Sequence, residues 1–442
     1  VRSRTGTAPG TSCSATAGTP PAGPSSATPR APNSTRRPAA GPSTCPGSTC
    51  TPPSSPPPCW TSFRASPGWP DTTPTPPLTG DAHHAVRAAA HAALTPAQRT
   101  AAQRAALDHA ASLGIGTLHE CGGRDLRRGG LHRAPRLAAE RPGPRVFGLW
   151  AEEIADGKGA RRIRELGAIG AAGDLFVDGS LGSHTACLHQ PYADGQGTGT
   201  AHLDAARIAA HVTACTEAGL QAGFHAIGDA AVTAVVAGVR AAAEALGPAR
   251  VRAARHRVEH AEMLTPETIA AFAELGLTAS VQPAFDAAWG GPEGMYAQRL
   301  GAERAATLNP YAALLRAGVP LAFGSDSPVT PLDPWGTVRA AAHHRTPEHR
   351  ISVRAGFTAH TRGGWRAIGR DDAGLLVPGA ADYAVWRTAE LLVQAPDDRV
   401  ARWSTDPRSG TPGLPDLTPG AELPVCLRTV VSGQTVYVRP NE

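Results

Sequence analysis

The chain has 442 residues, 41% hydrophobic and 18% charged, enough for one large domain or two ordinary ones. Its formal net charge is +5, and the cations are arginines except for Lys158; they are scattered, with no basic run interleaved with aromatics, which argues against a nucleic-acid partner. No apolar run reaches the ~18 residues of a membrane span, no secretory-signal pattern opens the chain, and the eight cysteines show no CxxC pair, so a cytoplasmic protein is expected.

Residues 1–77 and the remainder are unlike. The first segment is built from Pro, Ser, Thr, Ala, Gly and Arg, with Asp71 its one acidic residue and no Leu or Ile before Leu78. Such a composition buries too little apolar surface to offset its chain entropy, so a disordered segment is expected. Translation one base out of register is the preferred explanation. Under that shift Thr11 to Thr19 (TSCSATAGT) permits HLVLGHGWD, and Ser43 to Thr61 permits VYLSRVDVHSAVVSSALLD, strings that alternate like strands and carry histidine and aspartate. A genuine Pro-rich interaction tail is the alternative, and the nucleotide sequence discriminates between them.

From Leu78 the pattern is regular. AVRAAAHAAL and TPAQRTAAQRAALDHAASLG predict helices, the second with a Thr95-Pro96 start and Gly114 at its end. GIGTLHECGG follows as strand and loop, then RVFGLW, a helix around 159–167, and DLFVDGS as a strand. Helix 203–219 leads into LQAGFHAIGD, helix 229–246 into RHRVEHAEM, helix 266–275 into LTASVQP, and helix 310–317 into PLAFGSDSPV. Strands alternating with helices predict parallel βαβ units, and this many in succession suit a (β/α)8 TIM barrel. ADYAVW and TVVSGQTVYV alternate as strands of a small C-terminal β unit. The expected division is therefore 1–77, a barrel over 78–377, and a tail over 378–442.

Several strands end alike: a hydrophobic run, a metal-capable residue, then a glycine-bearing or turn-forming loop. The runs are Phe176-Val177-Asp178-Gly179, Phe224-His225, Val258-Glu259-His260 and Phe323-Gly324-Ser325-Asp326. In a barrel the C-terminal strand ends share one mouth, so these side chains converge, and two imidazoles with a carboxylate suit zinc, manganese or iron. Singly, each has a structural explanation: a hydrogen-bonded histidine, a capping aspartate, an Asp-Gly turn.

DGSLGSHTACLHQPYADGQGTG (178–199), FHAIGDAAV (224–232), RHRVEHAEML (255–264), SVQP (280–283), AFGSDSPVTPLDPWGTV (322–338) and GLLVPGAADYAVW (374–386), in this order, resemble amidohydrolase family 3, in its N-substituted formamide deformylase-like branch. The resemblance spans about residues 78–438. It implies a metal-dependent TIM barrel with a small β-sandwich from both chain ends, hydrolysing carbon–nitrogen bonds other than peptide bonds in a small-molecule amide. It further implies His225 and His260 as ligands of a divalent metal, with zinc preferred, Asp326 as ligand and general base, and Ser183 and His184 on a loop where they either contact substrate or shape it.

Two features depart from that family. Its first-strand His-x-His is absent; His83-His84 are adjacent and lie in a helical context, so the barrel is expected to be incomplete at its N-terminal strands. Where many relatives carry a lysine, this chain has Asp174, which is expected either to ligate directly or to leave a one-metal site, the latter preferred. The competing expectation is a catalytically dead remnant with no activity as written.

Overall fold

The computed structural model describes residues 8–9, 11–16, 80–123, 137, 140–374, 381–392 and 413–440. Its helices start where the sequence supplies a cap. Ahead of helix Pro96–Ser112, the Thr95 hydroxyl accepts from the Gln98 amide (3.2 Å) and the Gln98 side chain accepts from the Thr95 amide (2.9 Å). Gly114 follows at φ +73°, and a Cβ there would lie 2.1 Å from the Trp386 ring, so backbone and packing both require glycine. Asp204 caps Ala205–Glu217, and Thr265 closes a second capping box before Pro266–Leu275.

These helices alternate with strands β2 (Thr11–Thr16), β3 (Ile115–Gly123), β4 (Arg145–Ala151), β5 (Gly170–Ala171), β6 (Gln221–Ala226), β7 (Arg257–His260), β8 (Thr278–Val281) and β9 (Leu321–Phe323). Hydrogen bonding joins them in that order, all parallel, and β2 comes near β9 across the remaining gap, as expected for a TIM barrel. Phe224, Val258, Ala279 and Phe323 share the main core with the helix residues Ile208, Val235 and Phe272, each large side chain contributing roughly 1.5–3 kcal/mol by burial. The alternate strand positions, among them His225, Arg257 and Glu259, are left for the barrel interior.

The small sheet runs β1 (Ala8–Pro9), β10 (Tyr383–Arg387), β13 (Val425–Val431), β14 (Gln434–Val438), antiparallel, and so draws on both ends of the chain. A two-stranded sheet pairs β11 (Leu391–Leu392) with β12 (Leu414–Pro415). The small sheet is held to the barrel by Thr429 donating to the Ala111 carbonyl (2.6 Å) and by the Arg145–Asp382 ion pair.

Three sequence expectations need amendment. Residues 1–77 were expected to lack regular structure, yet β1 and β2 lie there. Thr11–Thr16 belongs to a proline-free stretch between Pro9 and Pro20, able to donate along a ladder, and it pairs with β3 from Thr11↔Ile115 to Thr16↔Cys121. The rest of that segment lies outside the described residues. The barrel was also expected to lack its first strand; β2 fills the place beside β3, but as Thr-Ser-Cys-Ser-Ala-Thr, with no imidazole or carboxylate. Finally, DLFVDGS is not a continuous strand. The ladder stops after Ala171, Gly173 turns at φ +90°, and contact with β6 resumes as a single Phe176↔His225 bridge. Among the described residues no helix is long and apolar enough to cross a membrane.

Candidate metal centre

The strand ends of β6, β7 and β9 bring His225, His260 and Asp326 to one cleft, which Ser180, Leu181, Gly182 and Glu262 also line. Backbone geometry aims two of them. His260 stands at φ +71° and Asp326 at φ +53°, left-handed conformations that cost a non-glycine residue and recur where a side chain is held for function. All three are almost fully buried.

The imidazoles are held in fixed tautomers. His225 Nε2 donates to the Gly179 carbonyl (3.0 Å), which leaves the Nδ1 lone pair bare. His260 Nδ1 donates to Gln282 Oε1 (2.9 Å), and the Gln282 amide donates to the Ser280 carbonyl, so His260 Nε2 is bare in turn. Neither bare nitrogen has a hydrogen-bond partner, although both are buried. The rings lie 4.5 Å apart between centroids. Burial holds both pKa values below the usual histidine range, with His260 adding to the effect at His225, so both rings are neutral. A neutral imidazole with one nitrogen anchored and the other unpartnered is the form that binds a metal.

Asp178 braces this arrangement. Its carboxylate accepts from the amides of Cys187 (2.8 Å), Ile227 (3.0 Å) and Gly228 (2.8 Å), and lies 3.8 Å from His225 Nε2. Burial raises its pKa to about 7 against the pull of those amides. Gly228 sits so close to Cys187 that a Cβ would meet its carbonyl oxygen at 2.0 Å.

The other sequence candidates stand apart. Asp174 is buried but does not line the cleft; its Oδ1 lacks a hydrogen-bond partner, and burial pushes its pKa to about 8, with Glu259 and Glu120 adding to the rise. Ser183 Oγ bonds to the hydroxyls of Ser180 (2.8 Å) and Thr185 (2.6 Å), and His184 Nε2 to Asp194 (2.9 Å), contacts internal to their loop. Beneath the cleft, Arg257 and Glu259 form a fully buried ion pair (2.5 Å), with Arg257 also donating to Ser280 Oγ (2.7 Å). Among the described residues no group of three His, Cys, Asp or Glu side chains stands in ligating geometry. The two bare imidazole nitrogens are donors of the kind a divalent metal takes, and Asp326 lines the same cleft.

Sequence reasoning missed Glu262, Gln282, Phe285, Trp289 and Tyr296. Gln282 is the third residue of SVQP and Glu262 follows His260 by two residues, so both lay within recognised motifs. The aromatics lie in two short helices, Pro283–Trp289 and Met295–Leu300, that no strand-end rule singles out.

Comparison with known proteins agrees with this architecture. Residues 65–437 match the amidohydrolase family Amidohydro_3. The chain is 34% identical over 225 residues to Protein LONG AFTER FAR-RED 3 of Arabidopsis thaliana, covering 48% of this chain and 38% of that one. It is 31% identical over 172 residues to YtcJ of Bacillus subtilis (strain 168), covering 38% and 30%. Among solved structures, an uncharacterized metal-dependent hydrolase of Pyrococcus furiosus superposes with TM-score 0.56 at 26% identity, over 68% of this chain and 62% of that one. Each match thus spans less than two thirds of the relative's own length. With the family match running over most of its residues, the chain belongs to the amidohydrolase family.

Proposed function

We propose that this protein is a metal-dependent amidohydrolase acting on carbon–nitrogen bonds other than peptide bonds, amide or formamide, in a small molecule, with zinc as its metal and the cytoplasm as its compartment. The observation that carries the proposal is the pair of buried, unpartnered imidazole nitrogens, His225 Nδ1 and His260 Nε2, beside Asp326. Family membership and the metal-dependent hydrolase neighbour support it.

His225 and His260 would hold the metal, with Asp326 facing it. The metal, when bound, lowers the pKa of water and polarises a carbonyl. Asp326 accepts the proton of the attacking water and returns it to the leaving nitrogen. Gly179 and Gln282 keep the imidazoles in the ligating tautomer, and the cleft that His225, His260 and Asp326 line, about 20 Å³, admits one water. Ser183 and His184 shape the rim loop from which Ser180 to Gly182 reach the cleft. The test is amine release from a panel of amides and formamides before and after zinc reconstitution. Release that rises with zinc supports the proposal, and none under any loading contradicts it.

One observation favours a second reading, in which activity is weak or absent. β2 occupies the position beside β3 and near β9 but carries no imidazole or carboxylate. A version with Thr11–Thr16 exchanged for a strand bearing His-x-His is expected to bind zinc at least ~10-fold more tightly, from added ligands, and to turn over faster. Equal zinc affinity and turnover in the two proteins would show that such a pair is dispensable.

A further inference from the structure

The barrel carries a cavity at the face opposite the metal cleft. Thr278 opens β8, while Arg255 stands just before β7 and Pro320 just before β9, so these lining residues mark N-terminal strand ends. His225, His260 and Asp326 stand at or beyond the C-terminal ends. The cavity measures about 640 Å³, within the roughly 300–1,000 Å³ of small-molecule sites. Reacting groups of a TIM barrel gather at the C-terminal face, so this cavity has no part in the chemistry of the cleft.

Arg252, Arg255 and Arg366 line it, and among the described residues no Asp or Glu does. Each guanidinium group is anchored from behind. Arg252 Nη1 donates to the carbonyls of Ala273 (2.8 Å) and Glu274, at the end of helix Pro266–Leu275, where the helix dipole favours a cation. Arg255 donates to both carboxylate oxygens of Asp371, one of them at 3.0 Å, and to the Arg366 carbonyl (3.2 Å). Arg366 Nε lies 3.4 Å from the same Asp371. One carboxylate thus serves both Arg255 and Arg366, and the nearby Glu274 is turned to Arg240 (3.1 Å), which leaves positive charge in excess. None of these bonds uses Arg252 Nη2 or the terminal nitrogens of Arg366. Arg255 stands at φ +51°, a left-handed conformation that costs a non-glycine residue and recurs where a side chain clamps a ligand. Ala249, Ala253 and Pro320 make the apolar part of the wall.

We propose that this cavity binds a small molecule carrying a phosphate monoester, its oxygens taken by Arg252 and Arg366 and its apolar body laid against Ala249, Ala253 and Pro320. Guanidinium groups match phosphate in paired, charge-assisted hydrogen bonds, the strong kind. A polynucleotide is a poorer occupant, because the basic residues of the chain form no run that would track a phosphate backbone. The site is separate from the metal centre, so it stands or falls independently of the amidohydrolase reading.

The probes are adenosine monophosphate, adenosine, inorganic phosphate and a short single-stranded DNA, each titrated calorimetrically into the zinc-loaded full chain. Adenosine monophosphate is expected to bind with Kd below about 1 mM and at least ~10-fold more tightly than adenosine or inorganic phosphate, the range of one charge-assisted hydrogen bond. Arg252→Gln and Arg366→Gln, both at exposed positions, should each weaken it at least ~10-fold. Ala253→Glu sets a carboxylate into the cavity without removing any of the bonds above, and should abolish binding. The double variant His225→Ala with His260→Ala should bind as the parent does, which separates this site from phosphate held by the zinc. No binding of adenosine monophosphate, equal binding of adenosine or inorganic phosphate, or tighter binding of the DNA would overturn the proposal. So would affinity unmoved by the arginine variants and Ala253→Glu, or affinity lost with the two histidines.

Discussion

Arg257→Met is expected to destabilise the protein by about 3–5 kcal/mol, the cost of leaving one charge of a buried pair uncompensated. Arg257 and Glu259 are both fully buried and meet at 2.5 Å in the barrel interior, where no solvent reaches the carboxylate once its partner is gone. The double replacement Arg257→Met with Glu259→Leu removes both charges and restores apolar packing. It should recover most of the loss, because such pairs contribute little beyond mutual compensation. Urea denaturation of the two variants and the parent measures this. A single variant within about 0.5 kcal/mol of the parent, the range of an ordinary surface change, would mean that Glu259 finds another partner or takes up a proton.

Asp326→Asn should lower kcat by roughly 10²- to 10⁴-fold, the contribution of a positioned proton-transfer group. The asparagine keeps the size of the side chain at φ +53° but accepts no proton. If Asp326 acts as general base, KM and zinc content change far less than kcat. A comparable loss in zinc content would make its role one of ligation. Unchanged kcat would remove Asp326 from the chemistry.

The barrel was legible because its signals are local. Helix 229–246 and helix 266–275 emerge at the bounds that periodicity and caps gave them, as Asp229–Leu246 and Pro266–Leu275. His225 and His260 were legible because a hydrophobic run ending in a metal-capable residue marks a strand's C-terminal end. What was not legible depends on contacts distant in sequence or on unusual backbone. The break after β5 turns on Gly173 at φ +90°, inside a segment that alternates well enough to read as a strand. Tyr296 stands beside Glu262 only because β7 and helix Met295–Leu300 face the same cleft. β2 was hidden by its composition, since its place in the sheet comes from the partners on either side of it and not from any pattern of its own.

Zinc content after reconstitution and desalting tests the central proposal most directly, comparing the parent with His225→Ala, His260→Ala and the double variant. The imidazole nitrogens His225 Nδ1 and His260 Nε2 are the bare, buried donors of the cleft. Each single variant should therefore retain clearly less zinc than the parent and the double variant essentially none, with circular dichroism unchanged. Equal zinc content in all four proteins would contradict a metal centre at His225 and His260.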